Sequence, residues 1–463
     1  MPKCTIDGKE LEFKAGQTVI EIADKNGIEI PRFCYHPGLS VVAQCRMCAV
    51  EVEKMPKLQT ACSTPATDGM VVKTNSEKVK KMQESVMEFL LINHPLDCPI
   101  CDKSGECDLQ NYSFDYGAAD SRYEEQRRTY MDLDMGPVIK KNMNRCIHCT
   151  RCIRFCDEVG GLREMVAIKR GNNTEITTPE GKPLETEYAG NLADICPTGS
   201  LTLKDFRFKK RVWYLKKTPS VCEGCSRGCN IEVHHEGGVV HRIIPRENME
   251  INKWWICDEG RFNFKHVNSE TRVTEPSVRE GDAYVKTSWQ SAIDIAKDTL
   301  GSAPTVLVAS DLTNEEIAAV KKFAESTLHA KEIFHFGTPN VLTSDADGPE
   351  DRILKTKSKT ANLRGAEKQG IKPLKSTDFN KATLVVTSGR AELPKGLKDG
   401  YVLLGVVDTA TVKASPKVIL PGLTYVEKTG TVTNIDGVEQ KFIKALDPRG
   451  ESKATEEVLK LWK

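Results

Sequence analysis

Polar and apolar residues alternate along "CTIDGKELEF" (4–13), which predicts two short strands with Asp7-Gly8 as the two-residue turn of a hairpin. The period then changes. In "TVIEIADKNG" (18–27), Thr18 and Glu21 form a capping box and Gly27 closes a short helix. A longer helix is predicted in "TNSEKVKKMQESVMEFLLIN" (74–93), with Thr74 and Glu77 as its capping box. Val79, Met82, Val86, Phe89 and Leu90 fall on one face of it as a core stripe. Pro95 disfavours helical geometry at the residue before it, so this helix should stop near His94. Past residue 300 the pattern is different again. "TVLVASDLTNEEIAAVKKFAESTLHAKEIFHFG" (305–337) reads as strand, helix, strand, and "ATLVVTSG", "YVLLGVVD" and "PKVILPG" read as further buried strands. That alternation predicts an α/β domain on a parallel sheet. The basic segment 348–376 is poor in apolar residues and is expected to be a loop.

Composition narrows the classes of function. At 463 residues the chain is too long for one core, and several domains are expected. Its 66 basic and 65 acidic side chains nearly cancel, so no field favours nucleic acid or an anionic membrane surface. The longest apolar run, "YVLLGVV" (401–407), falls far short of the ~20 residues that span a bilayer. The start, "MPKCTIDGKE", lacks the pattern of a secretory signal. A cytoplasmic protein is expected, at a membrane only through partners.

The 17 cysteines change the picture. None occurs after Cys257, and in a reducing compartment clustered thiols bind metals or do chemistry more often than they pair as disulfides. Cys34, Cys45, Cys48 and Cys62 follow the hairpin and first helix on a loop. That arrangement resembles the β-grasp fold of plant-type ferredoxins, which hold a [2Fe–2S] cluster on four cysteines. Four thiolates would also suit zinc. His94, Cys98, Cys101 and Cys107 make a second set. A histidine at a helix end has a simpler explanation, a cation complementing the helix dipole. Against it stand three thiols that lack a fourth partner. Imidazole in place of thiolate would lower a [4Fe–4S] cluster's negative charge and raise its potential.

The run Cys146, Cys149, Cys152, Cys156 resembles half of a bacterial two-cluster ferredoxin, with the distant Cys196-Pro197 completing the site. The reading is one [4Fe–4S] cluster on Cys146, Cys149, Cys152 and Cys196; Cys156 as fourth ligand is the alternative. Cys222, Cys225, Cys229 and Cys257 form a fourth set suited to a cubane. His234, His235 and His241, on the intervening strands, are expected to be surface or packing residues. The four sets use every cysteine but Cys4 and Cys156.

With "PRFCYHPGLSVVAQCRMCAVEVE", "VMEFLLINHPLDCPICDKSGECDLQN", "NRCIHCTRCIRF", "DICPTGSL" and "RVTEPSVRE" in order over residues 1–300, the chain resembles the G subunit of bacterial NADH:quinone oxidoreductase, respiratory complex I. The resemblance implies α+β and α/β domains in series. These are a β-grasp [2Fe–2S] ferredoxin domain (1–78), a [4Fe–4S] segment with one histidine and three cysteine ligands (79–120), and a ferredoxin-like [4Fe–4S] domain (137–210). A molybdopterin-oxidoreductase-type [4Fe–4S] domain (215–271) and a shortened molybdopterin-oxidoreductase-like α/β domain without a molybdenum site (272–463) would follow. It implies His94 as a ligand, Cys196 as the third set's distant ligand, and a fourth centre off the main electron path. "YVEKTGTVTNIDGVEQ" (425–440) resembles a late segment of the large molybdopterin-type domain, so its middle looks deleted.

The function implied is single-electron relay from an NADH/FMN-binding subunit through the [2Fe–2S], His-ligated and third clusters toward quinone. The partners implied are that subunit together with ferredoxin-like and quinone-side subunits, at the cytoplasmic side of the bacterial inner membrane. No catalytic residue, flavin or molybdopterin is expected in this chain, and the last domain is read as scaffold. The alternatives are the relay subunit of a soluble NAD-dependent hydrogenase or formate dehydrogenase, and a zinc-stapled structural protein.

Overall fold

The hairpin forms where the alternation places it. In the computed structural model, Lys3–Ile6 pairs antiparallel with Lys9–Glu12, and Asp7 and Gly8 turn the chain at φ +47° and +82°, the left-handed geometry of a type I′ turn. Lys3–Ile6 also runs parallel to Met70–Lys73, inside a mixed sheet of five strands completed by Ala49–Val52 and Gln59–Thr60. The helix Val19–Lys25 buries Val19, Ile20, Ile22 and Ala23 on that sheet, and the Glu21 carboxylate accepts from the Thr18 N–H at 2.8 Å. The structure describes residues 1–179, 182–340, 342–375, 382–408 and 415–462. They divide into two compact units, Met1–Tyr214 and Leu215–Lys463.

The second helix is shorter than its periodicity suggests, and its cap is different. It spans Glu77–Leu91 with Ser76, not Thr74, at the N-cap. Thr74 is held elsewhere: its N–H and hydroxyl both donate to the Asp7 carboxylate, at 2.8 and 2.5 Å. Val79, Val86 and Met87 face the core, but Phe89 is 74% exposed and does not belong to the stripe. The apolar face packs with Phe33, Met47 and Leu109, and Phe33 meets Tyr112 of the helix Asp108–Tyr116 edge-on at 5.3 Å.

The remainder of the first unit is a three-stranded sheet, in the order Leu201–Leu203, Ile139–Lys141, Leu133–Asp134. Short helices at Arg151–Phe155 and Asn191–Ile195 accompany it.

The second unit opens with three antiparallel strands, Lys216–Val221, Asn230–Glu236 and Val239–Pro245. An eight-stranded sheet follows. Its strands from Val418–Pro421 through Val402–Gly405, Thr383–Thr387, Thr305–Ala309 and Glu332–Phe336 to Lys372–Pro373 are parallel. The antiparallel pair Ser277–Glu280 and Ala283–Lys286 closes one edge. Neighbouring residues such as Val306 and Leu307, or Leu384 and Val385, enter cores on opposite faces, as in a parallel sheet covered on both sides.

The basic segment after Gly348 is not an open loop. It contains the helix Leu363–Lys368 and buries Leu354, Ala361, Leu363, Ala366, Ile371 and Leu374; Ser376 at its end lies outside the described residues. Its few apolar residues are spaced to reach the core, so low apolar content did not mean exposure. No described helix is long and apolar enough to cross a membrane.

Candidate metal centres

The loop after the first helix brings its four cysteines together at the edge of the β-grasp sheet. The Cys34 N–H donates to Cys45 Sγ at 3.4 Å, the Cys34 and Cys45 thiols are mutual partners, and so are those of Cys48 and Cys62. Within the first pair, the hydrogen bond from the Cys34 thiol lowers Cys45 against the opposing effect of burial, and the same hydrogen bond together with burial raises Cys34. Arg46 and Ala43 take left-handed backbone at φ +63° and +50°, which lets this loop curl around its thiols.

In the second set Cys101 lies within electrostatic range of Cys98 and of Cys107. Burial pushes the Cys107 thiol up to about 11 and raises Cys101 as well. His94 is the informative member. Burial and then Arg145 and Arg127, opposed by Asp97, bring its pKa down to about 4, so the ring is neutral near pH 7. That removes the dipole explanation, which needs a cation. Its Nδ1 is buried with no hydrogen-bond partner. A neutral imidazole with an unsatisfied buried nitrogen, in the segment that leads into three cysteines, suits a metal ligand.

The third set encloses a cavity whose walls include Cys146, Cys149, Cys152 and Cys196, together with Lys141 and Thr198. Cys156 is not part of that wall. It opens the π-turn Cys156–Gly160 and lies near Glu164 and Asp157, with burial and those carboxylates raising its thiol to about 12. The His148 N–H donates to Cys146 Sγ at 3.4 Å, and His148 and Thr150 take φ +55° and +59° to turn the chain between thiols. Burial raises Cys146, Cys149 and Cys152. Desolvated thiols of this kind become thiolates when a metal displaces their protons.

These three sets are neighbours within the first unit. Arg154 Nη2 donates to the carbonyls of Cys34 (2.6 Å) and Cys149 (3.2 Å), so one guanidinium ties the first set to the third. Arg151 adds bonds to the Tyr35 and Ile195 carbonyls, and Gln44 donates to the His148 carbonyl at 2.6 Å. On the other side, Cys107 Sγ lies 3.6 Å from the Pro197 carbonyl. Arg145, one residue before Cys146, pairs with Asp97, one residue before Cys98, at 2.5 Å. Sequence reasoning singled out none of Lys141, Arg145, Arg151 or Arg154. A usable signal was there: two arginines sit inside the cysteine run "CTRCIRFC", and both reach backbone carbonyls across the loops that carry the thiols.

The fourth set lies in the second unit. Cys222, Cys225, Cys229 and Cys257 are all buried and within electrostatic range of one another. The Gly224 N–H donates to Cys222 Sγ at 3.4 Å and the Gly260 N–H to Cys257 Sγ at 3.3 Å. A Cβ on Gly260 would stand 2.9 Å from Cys222 Sγ, so only glycine lets this backbone lie against the thiols. His234 and His235 are buried packing residues: His234 Nδ1 accepts from Arg242 Nε at 3.1 Å, and His235 Nε2 lies 2.9 Å from the Thr218 hydroxyl. Cys4 is buried in the β-grasp core, on the first strand of the hairpin. Among the described residues, no three His, Cys, Asp or Glu side chains close around a single ion.

Comparison with known proteins matches the chain segment by segment. Residues 3–77 match the 2Fe-2S iron-sulfur cluster binding domain, and 83–122 the NADH-ubiquinone oxidoreductase-G iron-sulfur binding region. Residues 136–202 match the ferredoxin-like domain of NADH-quinone oxidoreductase subunit 3. Residues 215–269 match the molybdopterin oxidoreductase Fe4S4 domain and 400–460 the molybdopterin oxidoreductase family. The NADH-quinone oxidoreductase G subunit of Rickettsia bellii is 46% identical over 302 residues, 65% of this chain and 44% of that protein. The NADH-ubiquinone oxidoreductase 75 kDa subunit of Reclinomonas americana is 40% identical over 353 residues, 75% of this chain and 51% of that protein. The chain thus spans about half the length of the curated relatives it matches. Among solved structures, a chain of an NAD+-reducing [NiFe]-hydrogenase aligns with 46% of this chain and 91% of its own length, at 30% identity and a TM-score of 0.42. With relatives of this identity and an ordered run of matching iron–sulfur domains, the chain belongs to the family of the NADH-quinone oxidoreductase G subunit and its 75 and 78 kDa counterparts.

Proposed function

We propose that this chain is an electron-transfer subunit of an NADH:quinone oxidoreductase, holding one [2Fe–2S] and three [4Fe–4S] clusters. Cys34, Cys45, Cys48 and Cys62 would hold the first. His94, Cys98, Cys101 and Cys107 would hold the second, Cys146, Cys149, Cys152 and Cys196 the third, and Cys222, Cys225, Cys229 and Cys257 the fourth. Such clusters supply reversible one-electron transfer, here between an NADH-oxidising flavin subunit and quinone-side subunits. The chain's own residues hold the thiols in place, exclude water by burial, and aim backbone N–H groups at sulfur, which tunes potential.

The observation that carries this reading is the contact between sets in the first unit. Arg154 joins the first to the third, and the Pro197 carbonyl joins the third to the His94 set. Phe33, beside Cys34, also meets Tyr112 in the helix that follows Cys107, and one buried cluster holds Cys34, Cys107 and Cys149, so the three sets lie against one another as a relay requires. The fourth set belongs to the other unit. Attachment to the cytoplasmic side of a membrane through partner subunits goes with this reading, as do domains at 1–78, 79–120, 137–210, 215–271 and 272–463.

Metal and sulfide analysis of chain purified without air tests it. About fourteen iron atoms and as many acid-labile sulfides per chain are expected, with EPR signals after dithionite. About four zinc ions per chain without sulfide would replace the electron relay with a structural protein.

A further inference from the structure

By sequence Gly199 belongs to the third set, three residues after Cys196. By position it belongs to the second. A Cβ on Gly199 would stand 2.3 Å from Cys101 Sγ, 3.3 Å from Lys103 Cβ and 3.4 Å from Arg145 Cδ. Ordinary contacts between heavy atoms lie at about 3.5–4.0 Å. Gly199 is not among the residues with left-handed backbone, so conformation does not demand glycine here. The demand is steric, and it comes from a thiol of the neighbouring set.

The turn cannot move away to make room. Thr198 Oγ1 donates to the Arg145 carbonyl at 2.8 Å, and Ser200 Oγ to the Asn142 carbonyl at 2.9 Å. The Asn142 N–H donates back to the Ser200 carbonyl at 2.8 Å. On the face toward the second set, the Pro197 carbonyl lies against Cys107 Sγ at 3.6 Å and accepts from the Leu109 N–H at 3.5 Å. The same four-residue turn thus presents Cys196 to the third set and two walls, Pro197 and Gly199, to the second.

We infer that Gly199 is a positioning residue for the His94 set, reserving the space in which Cys101 Sγ points at its metal. This rests on the reading that both sets hold clusters. A free Cys101 thiol can rotate away from an added methyl group, because it is the end of a side chain with one soft torsion. A ligating thiolate cannot, because its direction is set by the iron it binds. The substitution G199A is therefore nearly silent for folding of the metal-free chain and costly for loading of the second set alone.

The experiment is EPR of the whole 463-residue chain, purified without air and reduced stepwise, with iron counted in the same samples. The G199A chain should lose the signal of the His94 centre and about four iron atoms, while the other three signals remain and report a folded chain. Loss of the third signal with the second retained would overturn the inference, as would loss of all four or no change in any. A wild-type chain without iron–sulfur signals removes the functional reading itself and this inference with it, and is recognised before any variant is compared.

Discussion

At the residue scale, His94 and Lys141 show what burial does to a cluster site. If His94 completes the proposed set on Cys98, Cys101 and Cys107, H94A should lose one [4Fe–4S] signal and leave the other three; four unchanged signals would exclude it as a ligand. Lys141 is 1% exposed in the wall of the third cavity, within electrostatic range of Cys146 and Cys152. A buried cation favours the more negative, reduced form of a cluster, so Lys141→Met should lower the third centre's midpoint potential. Each ~1.4 kcal/mol of lost stabilisation is about 59 mV for one electron, readable by redox titration. Cys156→Ser should leave that centre intact and Cys196→Ser should abolish it. The opposite pattern would transfer the ligand role to Cys156. The cysteines were legible because their spacing is a linear pattern. Lys141 was not, because what makes it notable is a buried position on a strand within range of the Cys146 and Cys152 thiols, which the linear spacing does not show.

At the scale of elements, the capping box Thr18–Glu21 and the Asp7-Gly8 turn were readable because each is complete within a few residues. The Thr74 cap failed because its competitor is distant in sequence: Asp7 takes both of its donors, and Ser76 starts the helix instead. The helix Arg151–Phe155 shows the same limit in reverse. Nothing in the run RCIRF tells where its arginines go, yet Arg154 reaches three carbonyls in two loops, those of Ser40, Cys34 and Cys149. Arg154→Met keeps much of the side-chain bulk and removes all of these bonds. Each buried carbonyl left unpaired costs roughly 1–3 kcal/mol, so the variant should melt at lower temperature. Its first and third EPR signals should weaken before the His94 signal, because the lost bonds lie between those two sets. Equal weakening of all three would mean that Arg154 supports the fold generally.

Across the whole molecule, the parallel sheet was legible from its strand and helix alternation, and its strand order was not. Strand order depends on which buried runs pair, and uniformly apolar runs such as "TLVVT" and "VLLG" carry no register of their own. The packing of residues 348–375 was missed for a related reason: its apolar residues are few but are spent on the core, through the helix Leu363–Lys368. The division after Tyr214 has a consequence for the clusters. The first unit contains the first, His94 and third sets with all the bridging arginines, and the second contains the fourth set with both of its backbone N–H donors to sulfur. A chain cut between Tyr214 and Leu215 should therefore yield two loadable pieces. The piece 1–214 should carry about ten iron atoms and the piece 215–463 about four, each counted by iron and sulfide analysis after anaerobic reconstitution. Failure of 215–463 to bind iron, beside a normally loaded 1–214, would show that the fourth set needs the first unit to form.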